Sequence, residues 1–413
     1  MQLGRTYLWA GLGVVACGPT AGVPPPPAGG GGQLASGGVS ATTGGGPSNT
    51  GGVPASGGSG GAPAGGSPAA GGSAATGGSS SGGSGSAGSG SGGAPALDPS
   101  CAAGVWQGQE PAHVPLSGNT FAHDPTMIKM GGTYYRFWTG DYIPAATSSD
   151  LSSWDDAPSV YGGQYPSWVA DWLGDVPGET FNFPWAPDVS SFGGQVHLYS
   201  TFSAKFGDNI SCITHLSTPD LGTAPFQDHG PVICSEGSES YNAIDADVGF
   251  DDDGEPWLAF GSFWDGIMAV ELEADGSVTS DTLTNLAWAS EIEAPVLLRR
   301  CGYYYLFVSH GLCCPGEGRS VDDLTYRVVV GRSGDVLGPY VDKNGVEMRS
   351  GGGSLVVEGD GVTWAAAGHS DVLVDGDALY HLYHAYRQSN GAAELRIAEL
   401  WFDEDGWPVP HAP

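Results

Sequence analysis

Five times between residues 123 and 385 a polar residue stands about ten positions ahead of an aromatic-rich run, at a spacing of about fifty to seventy-five residues. The polar members are Asp124, Asp188, Asp245, Glu293 and His369. The runs that follow are Tyr134-Tyr135-Arg136-Phe137, Val196-His197-Leu198-Tyr199, Trp257-Leu258-Ala259-Phe260, Tyr304-Tyr305-Leu306-Phe307 and Leu379-Tyr380-His381-Leu382-Tyr383. Each interval suits one small antiparallel sheet, and five such sheets make a five-bladed β-propeller. The innermost strands of a propeller line one central channel, so the five polar residues are expected to converge there at one level. A β-sandwich, the competing all-β arrangement, gives no reason for every repeat to restart on a polar residue.

The rest of the chain from 98 to 413 supports an all-β reading. Helical periodicity is nearly absent, and Asp251-Asp252-Asp253-Gly254, Asp275-Gly276, Asp375-Gly376-Asp377 and Asp405-Gly406 punctuate the apolar runs as hairpin turns. A calcium loop at 251 is the weaker reading, because ligands at alternate positions and a closing Glu are missing.

The first ninety-seven residues are of another kind. Arg5, the apolar run from Tyr7 to Ala16 and Val14-Val15-Ala16-Cys17 read as a lipoprotein-type signal peptide over residues 1–17, with Cys17 as the lipidated end. An ordinary secretory signal is the alternative, and either predicts export; that apolar run is too short to span a bilayer. Residues 18–97 hold no charged and no aromatic side chain, only Gly, Ser, Ala, Pro, Thr and a few others. Such a segment cannot bury enough apolar surface to offset its ordering entropy, and it is expected to be a disordered tether with a reach of about 50 Å.

All 45 acidic residues, and all but one of the 13 Lys and Arg, therefore fall in the one domain at 98–413. That excess argues against nucleic acid, whose phosphates it repels, and favours a neutral or cationic ligand; solubility in an external medium is the plainer account of the overall excess. Beyond Cys17, six of the seven cysteines remain in an exported chain, an even number that permits disulfides. Spacing does not fix their pairing; Cys212 and Cys234 bracket one blade segment and are the first pair expected.

At His123-Asp124-Pro125, Trp185-Ala186-Pro187-Asp188, Asn242-Ala243-Ile244-Asp245, Gly261-Ser262-Phe263-Trp264, Glu293-Ala294-Pro295 and Gly368-His369 the chain closely resembles glycoside hydrolase family 43, and within it the endo-acting α-1,5-L-arabinanases. Cys313-Cys314, Gly331-Arg332-Ser333, Gly351-Gly352-Gly353 and Asp405-Gly406-Trp407-Pro408 carry the same resemblance. It implies inverting hydrolysis of arabinan, with Asp124 as general base, Glu293 as general acid and Asp245 as the carboxylate that tunes the acid. Inversion needs one carboxylate to activate water and one protonated acid roughly 6.5–9.5 Å away. The resemblance also implies substrate contacts at Trp185, Phe206, Gly207, Asn242, Ala243, Ile244, Ser262, Phe263 and Trp264, and a calcium ion held by His369 with waters. A monomer is expected, with no membrane contact beyond Cys17. An exo-acting arabinofuranosidase or β-xylosidase, a retaining propeller hydrolase and a non-catalytic carbohydrate-binding propeller are the alternatives.

Overall fold

The computed structural model describes residues 101–174, 183–316 and 318–413. The expected signal peptide at 1–17 and tether at 18–97 lie outside the described residues. The remainder is a five-bladed β-propeller of five separate sheets, antiparallel throughout except where β1 adds parallel to β5 at the edge of the first.

The first blade is formed by β1 (Ser117–Gly118), β2 (Thr126–Met130), β3 (Thr133–Phe137), β4 (Ala145–Ser148) and β5 (Ser153–Ala157), with β2 innermost. A connection carrying α1 (Ser167–Gly174), which no apolar periodicity announced, leads to the second blade. That blade is β6 (Trp185–Phe192), β7 (Gln195–Ser203), β8 (Ile210–Thr218) and β9 (Gln227–Glu236). The third is β10 (Asp247–Phe250), β11 (Pro256–Phe260), β12 (Ile267–Glu271) and β13 (Thr284–Ala287). The fourth is β14 (Ile292–Arg300), β15 (Tyr303–His310), β16 (Arg327–Ser333) and β17 (Ser354–Glu358). The fifth is β18 (Trp364–Asp375), β19 (Ala378–Arg387) and β20 (Ala393–Glu399). The inner strands β2, β6, β10, β14 and β18 adjoin one another in a closed ring.

The aromatic-rich runs become the second strand of each blade, and their near-continuous apolarity follows from burial on both faces. In β15, Tyr305 and Phe307 pack toward the fifth blade while Tyr304, Leu306 and Val308 pack toward the third. The period of two along a strand thus serves two interblade cores at once. Each Asp-Gly run noted in the sequence is a turn whose glycine takes a positive φ: Gly254, Gly276, Gly376 and Gly406.

The ring is closed by the segment around β1, ahead of the first inner strand. It covers the outer edge of β20, with Val114 N donating to Ile397 O at 2.9 Å, Glu399 N to Ala112 O at 2.9 Å and Leu395 N to Thr120 O at 2.9 Å. It supplies the strand that the fifth blade lacks and leaves no open edge there. A disulfide from Cys101 to Cys301 fixes this end to the fourth blade, and Cys212 is bonded to Cys234 across β8 and β9 as expected.

Within the channel wall, polar side chains staple each inner strand to the next. Thr126 Oγ1 accepts from Val189 N at 3.2 Å, Asp188 Oδ2 from Val248 N at 3.2 Å, Asp247 Oδ2 from Leu297 N at 2.7 Å, and Asp371 Oδ2 from Met127 N at 2.9 Å. The series misses one joint, because the fourth blade carries apolar Val296 at the corresponding place. Asp188 belongs to this ring, not to the level of Asp124, where the repeat had put it. Ala186, two residues ahead of it, holds that level, inside a bulge that the fourth and fifth blades share.

Candidate active site

The head of every inner strand holds one residue other than glycine in the left-handed region: Asp124 (φ 52°), Ala186 (φ 41°), Asp245 (φ 57°), Ala294 (φ 54°) and His369 (φ 48°). A left-handed residue with a Cβ costs roughly 1–2 kcal/mol, and such strain persists only where surrounding contacts over-determine it. Here the displaced N–H groups are captured by side chains from the ends of second strands. Asp124 N donates to His384 Nδ1 at 3.1 Å, Ala186 N to Thr139 Oγ1 at 2.7 Å and His369 N to Ser309 Oγ at 2.8 Å. The kink turns each residue's neighbourhood into the channel, and the result is a pocket lined by His123, Asp124, Thr139, Trp185, Phe206, Ile244, Asp245, Glu293, Cys313, Cys314 and His369.

Asp124 is buried and nearly saturated. Thr139 Oγ1 donates to its Oδ2 at 2.6 Å, His123 Nδ1 lies 2.8 Å from the same oxygen, and His369 Nδ1 lies 3.0 Å from Oδ1. Burial alone would raise this carboxyl, but the imidazoles of His123, His369 and His384 hold it far below the usual carboxylate range. Burial likewise acts to depress His123, yet the Asp124 carboxylate beside it, helped by Cys314, lifts that imidazole well above its ordinary value. Burial keeps His369 low and His384 down at about 3, so those two rings are neutral. One imidazolium therefore faces one carboxylate.

Glu293 has the opposite environment. Burial pushes it up to about 7, against hydroxyl donation from Tyr326 and from Ser262, whose Oγ lies 3.0 Å from Oε2; the charges of Cys314 and Asp124 add to the rise. Asp245 is also well above the carboxylate range, from burial first and then from Glu293 and Asp124. Gly368 leaves room for Tyr326 to reach this place, since a Cβ there would meet its ring at 2.2 Å. Two carboxyl groups with pKa values driven apart in one pocket are the arrangement an acid and a base need.

The other expected residues divide. Trp185 and Phe206 meet edge to face at a centroid distance of 6.0 Å on the pocket wall, and Ile244 lines it too. Ser262, Phe263 and Trp264 form the adjoining turn, joined to the pocket through the Ser262 bond to Glu293. Gly207 lies exposed in the connection between β7 and β8, and Asn242 is buried with no partner for its Oδ1 among the described residues. Ala243 departs from expectation: its methyl is fully buried in the core between the second and third blades, which removes that side chain from any ligand. His123, Thr139, Ser309, Cys314, Tyr326 and His384 were not expected as site residues; only His123, beside Asp124, and Cys314, in the Cys313-Cys314 pair, carried a signal.

Among the described residues His123, Asp124 and His384 bring possible ligand atoms within 4.8 Å of one another. Those atoms are spent on each other and on the Asp124 N–H. His369 differs: its Nδ1 faces Asp124, and its neutral ring leaves the Nε2 lone pair available. A histidine that gives its other nitrogen to a carboxylate is the usual metal-ligand geometry, although a hard cation there would take most of its oxygens from water.

Residues 117–408 match the model of glycosyl hydrolases family 43. The chain is 37% identical over 319 residues to the extracellular endo-alpha-(1->5)-L-arabinanase 1 of Bacillus subtilis, covering 74% of this chain and 94% of that protein. It is 36% identical to the extracellular exo-alpha-(1->5)-L-arabinofuranosidase ArbA of Cellvibrio japonicus, covering 69% and 85%. Among solved structures it resembles the GH43 endo-arabinanase from Bacillus licheniformis, with a TM-score of 0.65 at 37% identity over 71% of this chain and 99% of that one.

Proposed function

Since the chain belongs to glycosyl hydrolases family 43, we propose that it cuts internal α-1,5-L-arabinofuranosidic bonds of arabinan by inversion. The observation that carries this reading is the contrast within one pocket between Asp124, held ionised, and Glu293, held up to about 7. Glu293 gives its proton to the leaving oxygen as the glycosidic bond breaks. A water on the opposite face attacks the anomeric carbon and passes a proton to Asp124. The low pKa of Asp124 makes it a weak base, which suffices because the attacking water becomes strongly acidic as its bond to carbon forms. Burial, with the charges of Cys314 and Asp124, keeps that acid protonated, and Asp245, raised well above the carboxylate range beside Glu293, is the third carboxyl of the site. Trp185 and Phe206 offer flat faces to the C–H patches of the sugar. His369, through Nε2 and with waters, is the residue that would hold a calcium ion, whose charge would polarise water and favour the ionised carboxylates.

The names of both curated relatives place them outside the cell, in keeping with export of this chain; lipidation at Cys17 and a monomeric state are part of the proposal. Release from the membrane fraction in a Cys17→Ser variant, and elution at monomer size, are the outcomes expected.

The deciding experiment is a product time course on debranched linear arabinan with wild type and Glu293→Gln. Mixed oligosaccharides and a fast viscosity drop are expected from wild type, and a loss of about 10²–10⁴ in rate from the variant. Release of single sugars alone would move the activity to the exo-acting relatives, and no release would leave carbohydrate binding.

A further inference from the structure

Strand direction fixes which loops share a face with the pocket. Inner strand β10 begins at the pocket and runs away from it, β11 returns, β12 leaves and β13 returns again. The residue that follows β13, Trp288, therefore emerges on the pocket face, five positions before Glu293. It is 45% exposed, one of the few large apolar side chains that are.

Trp288 is nonetheless fixed in place. Its Nε1 donates to Trp264 O at 3.0 Å and its backbone N to Met348 O at 3.0 Å. Gly266 allows the approach, because a Cβ there would stand 2.2 Å from Ala287 O and 3.0 Å from Trp288 Cα. The turn it grips, Gly261 to Gly266, holds Phe263 and Trp264 at positive φ and carries the Ser262 hydroxyl that donates to Glu293. An exposed indole whose N–H is already spent on the scaffold presents its ring and little else. A ring held that way loses little entropy on meeting a flat apolar ligand face.

We infer that Trp288 is a distal platform for a bound chain, stacking on a sugar beyond those held at the pocket itself. It stands on the pocket face at the entry to the strand that carries Glu293, outside the pocket's own lining. This rests on the reading of the protein as an arabinan hydrolase and adds to it a determinant of chain length. Trp288 takes no part in bond breaking.

The test compares wild type, Trp288→Ala and Trp288→Phe on linear arabinan and on short arabino-oligosaccharides, together with calorimetric binding of oligosaccharides of increasing length to each in a Glu293→Gln background. Trp288→Ala is expected to raise KM for the polymer and weaken binding of long oligosaccharides by about fivefold. Its kinetics on the shortest substrates should stay unchanged, with Trp288→Phe in between. An unchanged polymer KM overturns the inference. An equal loss of kcat on short and long substrates also overturns it, and makes Trp288 a brace for the Ser262 turn. A wild type that binds arabinan without cutting it would sink the hydrolase reading while the binding arm still decides Trp288; a wild type that does neither sinks both.

Discussion

At the scale of residues, the pocket separates two carboxyl groups by their surroundings. Glu293 loses its proton near pH 7, so kcat/KM should fall as pH rises through that value. Asp124 is held ionised far into the acid range, so no acidic limb from it is expected while the fold survives. A pH–rate profile checks both limbs. Thr139→Val removes the hydroxyl that serves Asp124 and the Ala186 N–H together; a stability loss of about 1–3 kcal/mol, read by denaturant titration, is expected for the orphaned buried groups. Asp124, Asp245, Glu293 and His369 were legible because each opens a repeat. Thr139, Ser309 and His384 were not, because they end apolar strands, where a small polar residue reads as the edge of a turn. Asp188 misled for another reason: its repeat carries an alanine, Ala186, at the pocket level, and the nearest polar residue lies two positions further along the strand.

At the scale of elements, the inner strands are joined by side chains that accept the neighbour's N–H. Three of the acceptors are buried carboxyls, and burial raises them, Asp371 to about 6 and, with repulsion from the others added, Asp188 and Asp247 well above the usual range. An acid whose folded pKa exceeds its unfolded value, about 3.9, costs nothing while protonated and destabilises progressively as pH rises through the folded value. Stability contributed by this ring should therefore be full below about pH 4 and decline through about 6. Asp247→Asn keeps an oxygen for Leu297 N and removes a charge; thermal melts should show it gaining roughly 1 kcal/mol over wild type at pH 8 and little at pH 4. The blade count was legible from the spacing of polar heads and aromatic runs, since burial on both faces demands continuous apolar strands. Helix α1 was not, because only Val169 along it is buried and an eight-residue helix leaves no usable period.

At the scale of the whole molecule, both described ends of the domain are fastened to blades laid down between them. His411 N donates to Val356 O at 2.9 Å, and the rings of His113, His381 and His411 gather where the two ends meet the fifth blade. Burial depresses all three, His411 to about 4. A histidine lowered on folding leaves stability intact above its unfolded pKa of about 6.5 and withdraws it as pH falls toward the folded value. Protonation of these rings should thus loosen this closure as pH falls, and His411→Phe should flatten that part of the loss between pH 6.5 and 4 in melts followed by near-ultraviolet dichroism. The Cys101–Cys301 bond has a consequence of another sort, a mechanical one. Tension applied to the chain ahead of residue 101 meets this covalent link to the fourth blade before it meets the hydrogen bonds that zip the Ala112–Thr120 segment onto β20. The load path bypasses the seam, so a pull from that side is carried by a blade and not by the joint that keeps the ring shut.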